Sequence, residues 1–259
     1  MLDLNQIEQY YPENLRAFRK NILREYIQYK ILEIIFNSRF AVKLSFLGGT
    51  ALRIIYGNTR FSEDMDFDNF NLSQQEFTFL TKEIENGLNK EGYNAEIRNV
   101  FKGAYRCYIK IPKIMFNYNL SGIEGEKIII QVDTDPHDFE YQPDNKILNK
   151  FDVFTQAFVT PLNILLSQKI FAVLNHKRAK GRDFYDIIFL LQRTKPNYDY
   201  LDRKVGLQNG SQLRKKLIAH IEDLNLDKIA IDVEPFLFNP SDNKKIKMFR
   251  EFIKEAELD

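Results

Sequence analysis

An apolar run, Val42 to Leu47, stops at Gly48-Gly49-Thr50, and the acidic alternation Asp64-Met65-Asp66-Phe67-Asp68 follows soon after. The first run predicts a strand. Paired glycines can take backbone angles closed to other residues and let another group approach the main chain closely. Thr50 is placed to cap a short helix, Ala51 to Tyr56, with Leu52 and Ile55 on one face and Gly57 as its C-cap. If the acidic segment is a strand, alternation sends Asp64 and Asp66 to the same face, with backbones about 6.6 Å apart. Two carboxylates held that close repel unless a counter-charge sits between them.

Amides at a helix start cradle phosphates, and a carboxylate pair suits Mg²⁺, which takes few protein oxygens and fills its shell with substrate phosphates. The combination points to phosphoryl or nucleotidyl transfer. Composition narrows the setting. The chain has 259 residues, 44% hydrophobic and 28% charged, which is globular usage. The net charge of +1 gives no global field for nucleic acid, so any such contact must be a local patch. A single cysteine, Cys107, excludes an intramolecular disulfide, and no Cys/His zinc spacing is present. His137, His176 and His220 are scattered. A reducing cytoplasmic setting is expected. No signal peptide and no membrane-length apolar run is read in the sequence.

In chain order, residues 14 to 37 are expected to form a core-facing helix. Ser73-Gln-Gln-Glu76 is a capping box, and Phe77, Leu80, Ile84 and Leu88 step along the helix it opens. Three strands are expected next: Glu96 to Phe101, Tyr105 to Ile111, and Lys127 to Asp133, the last ending on an acid. From Pro161 the pattern turns helical. The expected helices are Leu162 to Asn175, which carries Lys169 in an apolar surround, Phe184 to Gln192 opened by Asp183, Leu213 to Leu224, and Lys244 to Ala256. Lys177 to Arg182 is a basic loop, a solvated surface or a guide for a polyanion. The order predicts an α+β fold: a mixed sheet flanked by helices over residues 1–150, then a helical half over 151–259.

Leu47-Gly-Gly-Thr50, Arg60-x-Ser62-x-Asp64-x-Asp66-Phe67, Lys169-x-x-Ala172, and Arg178-x-Lys180-x-Arg182-Asp183-x-x-Asp186-Ile187 together resemble the AbiEii/AbiGii toxin family. These are nucleotidyltransferases of the DNA-polymerase-β superfamily. The resemblance covers roughly residues 44 to 68 and 160 to 191, and it implies a polymerase-β-type fold whose helical half completes the active-site cleft. It assigns Gly48, Gly49 and Thr50 to the nucleotide-phosphate turn and Ser62 to the triphosphate beside the metal. Asp64 and Asp66 become metal ligands, and Lys169 and Asp183 the functional positions of the helical half, Lys169 also touching nucleotide. Asp133 is the candidate third carboxylate, with Asp135 as its competitor. The family pattern has Lys directly before the Asp; here Arg182 stands there and keeps the charge.

On the residues alone, Arg60 either positions phosphates or pairs with an acid, and Ser62 either contacts phosphate or caps a turn. Asp68 is expected to face solvent at the strand end. The implied protein is a toxin of a toxin–antitoxin or abortive-infection system. It would use Mg²⁺, with Mn²⁺ as a substitute, and move NMP from an NTP to an acceptor, tRNA foremost, under control of a cognate antitoxin. The rivals are transfer to a small molecule such as an aminoglycoside, which predicts an acidic acceptor pocket, and a silent fold relative that binds nucleotide or a partner. A metal-dependent nuclease would have no need of the triphosphate turn.

Overall fold

One mixed sheet organises the first half of the chain in the computed structural model, which describes residues 1–136, 138–176 and 178–259. His137 and Lys177 of the basic loop lie outside the described residues. The strands are β1 (Leu44–Leu47), β2 (Met65–Asn69), β3 (Glu96–Lys102), β4 (Ala104–Ile111), β5 (Ile128–Pro136), β6 (Asp144–Lys150) and β7 (Val153–Val159), in the order β3-β4-β5-β2-β1-β7-β6. β2 runs parallel to β5, and β1 parallel to β7; the other neighbours are antiparallel. The fold is α+β, as expected.

Alternation sets the faces. Cys107, Ile109 and Ile111 of β4, Ile128, Ile130 and Val132 of β5, and Val153, Ala157 and Val159 of β7 are all buried. Phe46 pairs across the sheet with Phe67, their rings 5.2 Å apart. Each such side chain contributes about 1.5–3 kcal/mol by leaving water. After a short α1 (Leu4–Glu8), the long α2 (Arg19–Asn37) packs on β7 and β5 and against α4 (Gln74–Lys90), which packs on β3 and β4. Between them in sequence lies α3 (Gly48–Tyr56). The capping box that opens α4 is formed as read: Ser73 accepts from the Glu76 amide, and the Glu76 side chain accepts from the Ser73 amide. A one-turn α5 (Ile114–Asn117) precedes β5.

The chain divides into two compact units: Met1–Ile55 with Phe61–Val159, and Tyr56–Arg60 with Thr160–Asp259. The second is built from α6 (Leu162–Asn175), α7 (Gly181–Leu191), α8 (Tyr198–Val205), α9 (Gly210–Glu222), α10 (Leu226–Val233), α11 (Lys244–Lys247) and α12 (Phe249–Glu255). Its core centres on α7, packed against α6 and α10, with Phe184 edge-on to Phe249 at 4.9 Å.

Several expectations are corrected. Residues 41–43 form a 3₁₀ turn, so β1 starts at Leu44, and α2 starts at Arg19 rather than near residue 14. The β6–β7 hairpin, α8 and α10 were not expected. The last helix is two, parted at Met248. Thr50 lies inside α3 instead of capping it, because the helix begins at Gly48. Asp64 precedes β2, which begins at Met65. Asp68 is buried instead of facing solvent, and its carboxylate accepts from the Tyr141 hydroxyl at 2.6 Å.

Candidate active site

The first unit gathers most of the expected residues at the junction of β1 and α3. Leu47 at the end of β1 stands opposite Asp66 on β2, so the next residue, Gly48, faces the Asp66 side chain. Gly48 has φ +76°, and a Cβ built there would lie 3.2 Å from Asp66 Cβ and Cγ and collide with Oδ2. The carboxylate thus occupies the space a side chain would take. Only glycine meets both demands, the left-handed backbone and the close approach. Gly57, at φ +72°, follows the other end of α3, in the backbone region expected of its terminator.

Thr50 has a role the sequence did not show. Its hydroxyl donates to the Asp64 carbonyl. The same connection is held from the other side by Gln28 of α2, whose amide donates to the Ser62 carbonyl at 3.1 Å and the Glu63 carbonyl at 2.9 Å. Arg24 adds an ion pair to the Glu63 carboxylate at 2.8 Å. Three consecutive carbonyls are therefore tied down immediately before β2. That fixes Ser62, which is half-buried, and Asp64, which is exposed, while Asp66 is half-buried.

α3 itself is anchored by Arg53, whose Nε donates to Glu25 Oε2 at 2.7 Å. Glu25 is 3% exposed and also receives Tyr11 Oη at 2.8 Å and Lys150 Nζ at 3.0 Å. Burial pushes its carboxyl upward, but Arg53 and Lys150 outweigh this and hold it below the usual carboxylate range. Gln28 and Glu25 were missed from sequence. They are one helical turn apart in α2, but Arg24, Lys30 and Glu33 share the same stretch, so nothing set the pair apart.

Asp133 stands in register with Asp66 on the neighbouring parallel strand, and Asp135 with Asp68. Neighbouring strands are about 4.8 Å apart. The Asp133 carboxylate, however, is gripped by Arg106 Nε at 2.9 and 3.1 Å and by Gln131 at 2.8 Å. Among the described residues, no group of three or more Asp, Glu, His or Cys side chains is gathered as a metal cage. Asp64 and Asp66 are the carboxylates that would hold a divalent ion. One is open to solvent and the other sits against a helix start, which suits a hard cation that keeps waters and takes phosphate oxygens.

The second unit brings Lys169 and Asp183 together and adds Asp186, Arg60 and Asn58 to them. Lys169 Nζ lies 2.7 Å from Asp183 Oδ1 and 3.0 Å from Asp186 Oδ2. Asp186 is fully buried, and Arg60 grips it with Nε at 2.7 Å and Nη2 at 2.6 Å. Asn58 adds a third donor at 2.9 Å. Arg60, itself 1% exposed, is thus paired with an acid, the second of its two sequence readings. Burial disfavours charge on Asp186, yet Arg60 and Lys169 hold its carboxyl below the usual range. Burial likewise disfavours the Lys169 ammonium, yet Asp183 and Asp186 raise its pKa and keep it protonated. His176 Nδ1 is 3.7 Å from Asp183 Oδ2. In the basic segment, Arg178 is exposed, Lys180 is the N-cap of α7, and Arg182 stacks on Phe236 at 4.5 Å.

The family model described as nucleotidyl transferase AbiEii toxin, type IV toxin–antitoxin system, matches residues 30–259. No curated protein sequence matches the chain. Similar solved structures include MenT4, a nucleotidyltransferase toxin from Mycobacterium tuberculosis, with 13% identity and a TM-score of 0.57. That match covers 99% of this chain and 91% of that one. JHP933 from Helicobacter pylori has 16% identity and a TM-score of 0.55, covering 90% and 91%. A second H. pylori structure has 17% identity and a TM-score of 0.55, covering 90% and 94%. At these identities the likeness is one of fold.

Proposed function

The chain belongs to the AbiEii nucleotidyltransferase toxin family, and on that premise we propose that it transfers NMP from an NTP to a hydroxyl of tRNA, with Mg²⁺. The observation that supports this reading most directly is the contact between Gly48 and Asp66. It holds a phosphate-cradling helix start and a metal-binding carboxylate against each other. Such an arrangement suits a substrate that brings phosphates and a cation together.

Asp64 and Asp66 would hold Mg²⁺, with Mn²⁺ as a substitute. When bound, the ion draws charge off the phosphates and lowers the pKa of an attacking hydroxyl. Gly48 and Gly49 offer main-chain amides at the start of α3 to phosphate oxygens. Thr50 and Gln28 fix the main chain of the Ser62–Asp64 connection, which sets where the Asp64 side chain starts. The acceptor hydroxyl gives up its proton to solvent as its oxygen bonds to the α-phosphorus; the bond from the α-phosphorus to the oxygen bridging it to the β-phosphorus breaks, and that oxygen leaves with pyrophosphate. Within the second unit, Lys169 is an ammonium kept charged by Asp183 and Asp186, and it is the cation we assign to phosphate charge.

The protein acts as the toxin of a pair whose antitoxin restrains it, in the cytoplasm. Among the described residues, no helix is long and apolar enough to cross a membrane. The test is to incubate the purified chain with Mg²⁺, total tRNA and each α-³²P-labelled NTP in turn. Label is expected in tRNA with one preferred NTP. Label on an added aminoglycoside, or on the protein itself, would replace tRNA as the acceptor. Label on nothing would contradict the reading.

A further inference from the structure

We propose that a cavity in the second unit, bounded by Arg193, Lys245 and Thr59, is a docking site for a backbone phosphate of the acceptor RNA. This rests on the proposed transfer to RNA and adds a contact to it. The cavity is about 200 Å³, and its polar lining comes from Thr59, Tyr185, Gln192, Arg193 and Lys245, beside the Phe189 ring. At roughly 30 Å³ per water it holds about seven waters' worth of space. That is below the roughly 300 Å³ at which ligand pockets begin, so it admits one charged group and not a whole nucleotide.

The chemistry of the lining selects the group. Among the described residues no carboxylate lines the cavity, while Arg193 and Lys245 do; the Asp242 carboxylate, outside the lining, accepts from Tyr185 Oη at 3.3 Å. Arg193 is already oriented: its guanidinium stacks on Phe189 at 3.7 Å and donates through Nη1 to the Phe189 carbonyl at 2.8 Å. A planar guanidinium held in this way presents its remaining N–H groups to oxygen acceptors as a fixed fork. Lys245 Nζ bonds Asp242 at 2.8 Å and Tyr185 Oη at 3.4 Å, which leaves one of its three N–H donors for a ligand. Tyr185 Oη also bonds Thr59 Oγ1 at 2.8 Å, so the hydroxyls form a connected polar floor. A small donor-rich cleft with two cations fits a phosphoryl group. It repels a polycationic acceptor such as an aminoglycoside.

The surroundings favour a strand over a free ion. Gln192 and Arg193 are exposed, so the cleft is open. Lys244 and Lys247 stand exposed on α11 beside Lys245, which gives further charge for phosphates on either side. Thr59 adjoins Asn58 and Arg60, which bind Asp186, so the cleft is tied to the frame that holds Lys169.

The experiment compares the wild-type chain, Arg193→Gln/Lys245→Gln, and the charge-preserving Arg193→Lys/Lys245→Arg. Binding of labelled total tRNA is measured across a KCl series, and inorganic phosphate is titrated against the melting temperature at constant ionic strength. The glutamine pair is expected to weaken tRNA binding roughly tenfold, the size of one charge-assisted contact. It should flatten the salt slope by about one unit and abolish phosphate stabilisation, with KM for NTP and the phosphate-free melting temperature unchanged. The charge-preserving pair should recover most of the tRNA affinity. Unchanged tRNA affinity and slope in the glutamine pair would overturn the proposal, even if the phosphate response were lost, since that leaves only a free-ion site. Label transfer to tRNA is read in parallel. If the wild type binds tRNA through these residues but moves no label to it, the docking site stands and the transfer reading fails. If label moves equally in all three proteins at equal KM for tRNA, the docking site fails alone.

Discussion

Replacing Asp186 with Asn keeps the shape of the buried frame in the second unit and removes its negative charge. Asp186 is 0% exposed and takes four donors: Asn58 at 2.9 Å, Arg60 at 2.7 and 2.6 Å, and Lys169 at 3.0 Å. The substitution strands the Arg60 guanidinium, 1% exposed, without its carboxylate, whereas Lys169 keeps Asp183. Removing one partner of a buried pair destabilises by about 3–5 kcal/mol. For a chain of this size that lowers the melting temperature by roughly 6–20 °C. The linkage sign gives a second readout. Because the folded carboxyl lies below its ordinary value, its stabilisation is present above the unfolded value of about 3.9 and is lost as pH falls through the folded value. Lys169 is raised, so its share is present below about 10.4 and is lost as pH rises through the folded value. The gap between variant and wild type, measured by thermal melts followed by circular dichroism, should therefore be flat from about pH 5 to 10 and close on acidification. Adding Arg60→Met to Asp186→Asn should cost less than the two changes summed, since the stranded cation is gone. A gap under about 1 kcal/mol, or strict additivity, would refute the ion-pair account.

Gly48→Ala places a methyl group where Asp66 Oδ2 sits and forces a left-handed backbone on alanine; transfer activity should fall at least a hundredfold, with a stability loss of about 1–2 kcal/mol by urea titration. Thr50→Val removes the hydroxyl that donates to the Asp64 carbonyl, and should lower kcat about tenfold while shifting stability by about 1 kcal/mol, as read from parallel kinetics and melts. Glu25→Gln removes the buried carboxylate that Arg53 and Lys150 share and should destabilise by about 3 kcal/mol at pH 7, a difference that shrinks as pH falls below about 4, checked by urea titration at both pH values.

What the sequence made legible was local. The Gly48-Gly49 break after β1 and the Ser73–Glu76 box each sit within a few residues, where backbone rules act directly. What it hid was contact at long range. Arg60 and Asp186 are 126 positions apart, and nothing near Arg60 announces the acid that holds it. Asp68 continues the acidic alternation, yet Tyr141, 73 positions away, draws it inside. β6 is a polar edge strand, Asp-Asn-Lys-Ile-Leu-Asn-Lys, whose pattern is that of a loop until β7 pairs with it. β7 does alternate, with Val153, Thr155, Ala157 and Val159 inward, so its signal was present. α8 and α10 are single eight-residue helices opened by Asn197 and Asn225, too short for a helical period to stand out. The glycine pair marked the helix start but not the reason for it, which is the carboxylate of Asp66 lying where a Cβ would be.

The most direct test of nucleotidyl transfer at Asp64 and Asp66 is to follow two labels on the preferred NTP, α-³²P and γ-³²P, with wild type and with Asp64→Ala. The account expects the α label on the acceptor, the γ label in pyrophosphate in equal amount, and neither with the variant. The γ label on the acceptor, or full activity of Asp64→Ala, would contradict it.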